Sequence, residues 1–101
     1  RLLHRLPVAA RGDLVSISVR GHYVDIATSA GTASLLLRFS DAVEETAGVA
    51  GGQVHRSHWI AWDAVAGVER RPGRLFLVLK NGARVPVSRT YRDRLEKRGL
   101  I

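Results

Sequence analysis

The chain contains no cysteine and no methionine. Without thiols it can form neither a disulfide framework nor a thiolate metal site, and cysteine usage says nothing about its redox compartment. Aromatic residues are scarce, with six in 101 positions, so Trp59 and Trp62 are conspicuous in a domain this small. No apolar run approaches the ~18 residues of a membrane helix, and Arg1 to Ala10 lacks the layout of a signal peptide. Lysine is nearly missing too, since the basic residues are 14 Arg and 2 Lys. A GC-rich genome accounts for part of that bias. The rest fits a surface that uses the planar guanidinium fork, which matches phosphate and guanine as a point charge does not.

Acidic charge is thin in one half. Residues 1–52 carry five Arg against five acids, whereas residues 53–101 carry nine Arg and two Lys against four acids, so the entire net charge of +7 lies in the second half. Such asymmetry points to a polyanionic partner. The length of 101 residues fits a single domain, 1–101. A first residue other than Met fits a piece of a longer protein, with a receiver, sensor or anchor preceding it.

Period-two alternation dominates. Val15, Ile17 and Val19 alternate with Ser16 and Ser18, the pattern of a half-buried strand. Gly21 permits a reversal, Tyr23 to Thr28 forms a second strand and Thr32 to Leu37 a third, which predicts an antiparallel meander. Pro7 keeps Leu2 to Val8 out of a central strand. Ser40 is placed to cap a short helix over Asp41 to Ala47, which Gly48, Gly51 and Gly52 end. Val65 to Arg70 reads as a strand, and Arg71-Pro72-Gly73 as a turn. Leu75 to Leu79 is apolar on both faces, the mark of a strand covered on both sides. Asn81-Gly82 favours a type I′ hairpin turn. Pro86 suggests an edge strand or a bulge in Arg84 to Val87, and Tyr91 to Arg98 is helix-compatible with Tyr91 and Leu95 on one face. The expected fold is mainly β, small antiparallel sheets with one or two short helices.

Two motifs carry the chemistry. Gln53-Val54-His55-Arg56-Ser57-His58-Trp59-Ile60 and Val85-Pro86-Val87-Ser88-Arg89-Thr90-Tyr91 each set an Arg beside a Ser at the end of an apolar run. Loops held by a rigid scaffold are where recognition residues concentrate. Arg56 and Arg89 could each fork onto O6 and N7 of guanine, worth roughly 1–3 kcal/mol of discrimination, or be solvated surface cations. A helix-turn-helix needs two consecutive amphipathic helices, which this chain does not offer. His55 and His58 lack a third ligand nearby in sequence, so no metal and no cofactor is expected. His55 packing on neighbouring strands with one nitrogen hydrogen-bonded is the simpler reading. Trp59 and Trp62 are either stacking platforms for bases or core residues, the latter favoured in so small a domain. No catalytic constellation is legible. A metal-free nuclease with His22 and His55 as acid and base has no support from their spacing.

His22-Tyr23-Val24 after a strand, then Val54-His55-Arg56-Ser57, then Leu79-Lys80-Asn81-Gly82 running into Val85-Pro86-Val87-Ser88-Arg89, resembles the LytTR-type DNA-binding domain of bacterial transcription regulators. The likeness runs from about Leu6 to Leu95. It implies an elongated, mainly β fold that inserts loops into successive major grooves and bends the DNA. It implies base contacts from His22, Arg56 and Arg89, and phosphate contacts from Ser57, Thr90 and Arg92. Many members carry Asn at the position of Arg56 or of His22, so base preference does not transfer. The resemblance further implies a homodimer on paired half-sites, formed on DNA or through a preceding region, in the cytoplasm at the nucleoid, with tethering through that region as a variant. An enzyme is not expected. The alternatives are a single-stranded nucleic-acid module, or a protein-interaction or membrane-surface module using the basic face.

Overall fold

The computed structural model describes residues 2–101. Its strands are β1 (Leu14–Arg20), β2 (Tyr23–Thr28), β3 (Gly31–Leu36), β4 (Gly51–His55), β5 (His58–Ala61), β6 (Val65–Arg71), β7 (Arg74–Leu79) and β8 (Arg84–Pro86). Two helices, α1 (Phe39–Glu44) and α2 (Arg89–Lys97), follow β3 and β8. The apolar N-terminal run winds into 3-10 turns at Leu2–Arg5 and Val8–Ala10, fastened where the buried Thr28 hydroxyl donates to the Ala10 carbonyl at 2.6 Å. The strands form a five-stranded antiparallel sheet, ordered β3-β2-β1-β5-β4, and a three-stranded one, β6-β7-β8. The expected meander is the β3-β2-β1 part of the first, and β8 with Pro86 is an edge, as its missing N–H requires.

Two cores lie on opposite faces of the larger sheet. The first gathers Leu2, Leu6, Ile17, Val24, Ile26, Ala42 and Trp59. The second joins Val54 and Ile60 to Leu75, Leu77, Leu79, Val85 and Leu95, from the smaller sheet and α2. Val15 packs against both. β5 is the pivot. Trp59 and Ala61 belong to the first core and Ile60 to the second, all at most 3% exposed. Successive strand residues point to opposite faces, so four residues reach both cores.

Several expectations shift. β5 is the strand covered on both faces, not Leu75 to Leu79: there Leu75, Leu77 and Leu79 are buried while Phe76 and Val78 are half-exposed. The apolar outer face of β7 carries the Arg84 guanidinium over the Phe76 ring at 4.9 Å instead of a second layer. A bulge between Leu14 and Ser16 puts Leu14 and Ile17 in one core, breaking the simple alternation. The first helix spans Phe39–Glu44 and has Arg38, without a side-chain cap bond, at its N-cap; Ser40 lies inside it, exposed. The packing of Phe39 and Ala42 on the first core sets its start, overriding the capping preference. Asn81-Gly82 does form a hairpin, but of another type. Only Gly82 has positive φ, 88°, and its N–H donates to the Leu79 carbonyl at 2.9 Å. Type I′ needs positive φ at both central residues, so this is the three-residue loop with glycine in the left-handed position.

Gly51 and Gly52 are not a break. They lie in β4, beneath the two tryptophans: a Cβ on Gly51 would stand 2.4 Å from Trp59 Cζ2, and one on Gly52 2.5 Å from Trp62 Cζ2. Gly51→Ala is expected to cost about 1–3 kcal/mol by overpacking, read as a lower urea midpoint. Gly67→Ala, where nothing lies within 4 Å and φ is not positive, is the comparison expected to change stability little.

Candidate nucleic-acid interface

The two Arg-Ser motifs and the His22 turn are far apart in sequence and meet at one end of the larger sheet. β1 and β2 are joined by Gly21-His22. Gly21 at φ 61° with no positive φ at His22 is the type II′ hairpin pattern, which exposes His22 at the tip. β4 and β5 are joined by Arg56-Ser57. Because β1 pairs with β5, the two tips are neighbours: the Val19 N–H donates to the Ser57 carbonyl at 3.1 Å. The third motif is tied on in the same way, as the Ser88 N–H donates to the Val54 carbonyl at 3.0 Å. That bond carries the start of α2 to the end of β4, one residue before His55.

Arg89 and Thr90 are therefore not loop residues. They are the first residues of α2, after Ser88 at the N-cap, and both are exposed. Leu95, fully buried in the second core, fixes the helix, with Tyr91 half-buried one turn earlier. The helix starts at Arg89 rather than Tyr91, directly after Ser88, whose N–H has left the small sheet for the Val54 carbonyl. Arg92 lies one turn in and is half-buried, its Nε buried without a hydrogen-bond partner. A hollow of about 420 Å³ is lined by His55, Ser88, Arg89, Arg92 and, from the β6–β7 turn, Gly73 and Arg74. His22 lines a separate hollow of about 210 Å³ with Leu37, Arg38 and Phe39. Arg38 and Arg74 are exposed cations that no motif singled out. Arg38 is brought to the His22 hollow by the chain after β3, and Arg74 to Arg89 by the β7–β8 register.

The Arg56 turn is held from inside. His55 Nδ1 accepts the Ser57 N–H at 3.1 Å, and Gln53 Nε2 donates to the Arg56 carbonyl at 3.3 Å. One nitrogen of His55 is thus hydrogen-bonded, as expected. The His58 ring stands edge-on at 5.2 Å. Burial, and then the neighbouring His55, hold the His58 imidazole below its ordinary pKa. His22 and His55 line different hollows, and the ring partner of His55 is His58, so the structure does not assemble them as an acid–base pair. Among the described residues no group of three or more side chains could hold a metal ion.

Charge is disposed unevenly. Arg5 pairs with Glu45 at 2.8 Å and Arg20 with Asp25 at 3.0 Å, the hydrogen bond from Arg20 and then one from Ser34 holding the Asp25 carboxyl below its ordinary range. Glu69 takes both Arg71 and Arg84; burial raises its pKa, but those hydrogen bonds outweigh it and leave the carboxyl lowered. Among the described residues Arg56, Arg89 and Arg92 make no ion pair. Trp59 is 3% exposed, so it is core and offers no face to a base. The half-buried Trp62 is covered by the Arg98 guanidinium at 4.8 Å. No helix among the described residues is long and apolar enough to cross a membrane.

The architecture has a solved counterpart. The LytTr DNA-binding domain described as that of a methyl-accepting/DNA response regulator from Bacillus cereus aligns with a TM-score of 0.72, over 84% of this chain and 79% of that one, at 16% identity. At that identity the likeness speaks for the fold alone, two small antiparallel sheets with short helices. The family model of the LytTr DNA-binding domain matches residues 5–99. The chain therefore belongs to the LytTR family of DNA-binding domains, which act in transcription regulation. No curated protein matches it.

The lowered His58 pKa fixes a pH dependence. A histidine depressed on folding binds its proton more readily when unfolded, so its contribution is complete above the unfolded value and is lost as pH falls through the folded one. Stability should therefore fall as the pH drops below the ordinary histidine value of about 6.5. His58→Gln should shrink that fall in denaturant midpoints; an equal fall in both proteins would remove His58 as its source.

Proposed function

We propose that this domain binds duplex DNA with sequence preference and so regulates transcription, reading bases with His22, Arg56 and Arg89 and gripping phosphates with Ser57, Thr90 and Arg92. The observation that carries the reading is the pair of backbone bonds, Val19 to Ser57 and Ser88 to Val54, that gather three distant motifs at one end. Arg56 and Arg89 project there with no carboxylate partner among the described residues. A guanidinium that needs no rearrangement to leave an ion pair is ready for bidentate hydrogen bonding to guanine in the major groove. Counterion release at the basic half supplies affinity, and bending at flexible steps adds indirect readout. Binding as a homodimer on paired half-sites, in the cytoplasm where the DNA lies, completes the proposal. The buried Trp59 speaks against a module that stacks single-stranded bases on it.

Selection of bound duplexes from a random pool tests this directly. A recovered motif supports it, whereas equal binding to all duplexes, or preference for single strands, overturns it. With the motif in hand, Arg89→Ala should cost about 1–3 kcal/mol on the cognate site and relax preference at one base position. Equal loss on random DNA would make Arg89 a phosphate contact. Arg92→Ala should weaken binding to all sequences and flatten the salt slope by about one unit; an unchanged slope would leave Arg92 to packing.

A further inference from the structure

The turn between β6 and β7 places more positive charge at the same end than the motifs account for. Its sequence is Arg70-Arg71-Pro72-Gly73-Arg74, with Arg71 and Arg74 directly opposite across the ladder. Like charges facing each other in a strand pair destabilise it, and an Arg on each side of a two-residue turn is an expensive choice for a structural hairpin. The local acid does not balance it. Glu69 is shared by Arg71 and Arg84, and no described carboxylate forms an ion pair with Arg70 or Arg74. The tip is also stiff, since Pro72 fixes its own φ and Gly73 takes the left-handed position at φ 70°.

Its place in the fold supplies the second observation. Gly73 and Arg74 close the hollow of about 420 Å³ whose other wall is His55, Ser88, Arg89 and Arg92. Arg70 and Arg92 line a neighbouring hollow of about 260 Å³ with Glu96 and Ile101. Arg92, whose Nε is buried without a partner, stands between the two. The hairpin tip thus extends the basic end sideways from the Arg89 position without adding a group that reaches it by sequence.

We propose that the β6–β7 tip is a fourth DNA contact, in which Arg70 and Arg74 hold backbone phosphates flanking the groove entered by Arg56 and Arg89. It rests on the duplex-binding reading above and adds a separate element to it. The role is positional, because phosphates carry no sequence information and fix orientation on the duplex. A rigid tip does this without ordering a loop on binding. The like-charge pair across the hairpin is relieved when a phosphate comes between the cations and the solvent.

The test is the salt dependence of binding by the Arg70→Ala, Arg74→Ala and double variants, with Lys80→Ala as the control. Lys80 follows the far end of β7, about 20 Å from Arg74 at the rise of a strand, and its removal deletes the same charge away from the contact. Each tip variant should lower the slope of log K against log[salt] by about one, and the double variant by about two, with the same fold-loss on selected and random duplexes. Lys80→Ala should leave the slope unchanged. Arg74→Lys should keep most of the slope, since a point charge still displaces a counterion. Thermal unfolding separates contact from structure: removing Arg74 relieves the repulsion with Arg71, so the melting temperature should stay level or rise. Slopes unchanged at the tip, or lowered equally by Lys80→Ala, overturn the proposal. So does loss of preference at a single base position, which would make Arg74 a base reader. If wild-type protein selects a motif and the tip slopes stay flat, only this contact fails. If no duplex is preferred at all, the duplex-reading proposal fails instead.

Discussion

Everything at the basic end depends on β5, a strand of four residues that faces two cores. Trp59 and Ala61 enter one and Ile60 the other, and full burial of a side chain like Ile60 contributes about 1.5–3 kcal/mol. Because β5 is packed from both sides, the hairpin it makes with β4 is anchored on both cores, with the Arg56-Ser57 turn at its end. The glycines of β4 are the complement: Gly51 and Gly52 leave room for the Trp59 and Trp62 rings, so the edge strand can lie close enough to pair. Once β4 is in place its Val54 carbonyl can receive the Ser88 N–H, and the start of α2 is positioned. The candidate readers are thus set by packing two or three residues away from themselves.

This explains which features were legible in the sequence. The meander of β1 to β3 is written in local alternation and in Gly21, and each cause lies within a few residues of its effect. The face of α2 is legible for the same reason, from Tyr91 and Leu95. Gly51-Gly52 misleads because its reason is an indole ring that arrives from another strand. β5 hides its double burial because four residues are too few to display a period, while β7 imitates it with an outer face that one arginine covers. The helix start at Phe39 rather than after Ser40 follows from a contact with the first core, against a capping preference worth about 1 kcal/mol.

The site divides in the same way. That His22 and Arg56 occupy exposed turns can be read from Gly21 and from the polar break between two apolar runs. That Arg89 and Thr90 begin a helix cannot, because the N-cap residue Ser88 is held by a bond to Val54, far away in sequence. The family resemblance supplies roles for these residues and none for Arg74. Its proximity to Arg89 follows from the β7–β8 register, in which Phe76 lies opposite Pro86 and the Val87 N–H donates to the Leu75 carbonyl, so the start of α2 comes level with the start of β7.

The charge pattern then has a physical reading beyond net charge. In the first half Arg5 is matched to Glu45 and Arg20 to Asp25, and those pairs tie the N-terminal turns to the end of α1 and β1 to β2. In the second half one carboxylate, Glu69, serves two arginines, and it sits on β6 opposite Phe76 across the ladder. A structural hairpin would gain by avoiding Arg71 opposite Arg74, since like charges in register repel. Leaving Arg56, Arg89, Arg70 and Arg74 unmatched at neighbouring tips keeps repulsion in the free protein. A polyanion removes that repulsion on binding, so the attraction to DNA and the relief of strain among the cations act in the same direction and grow together as salt is lowered.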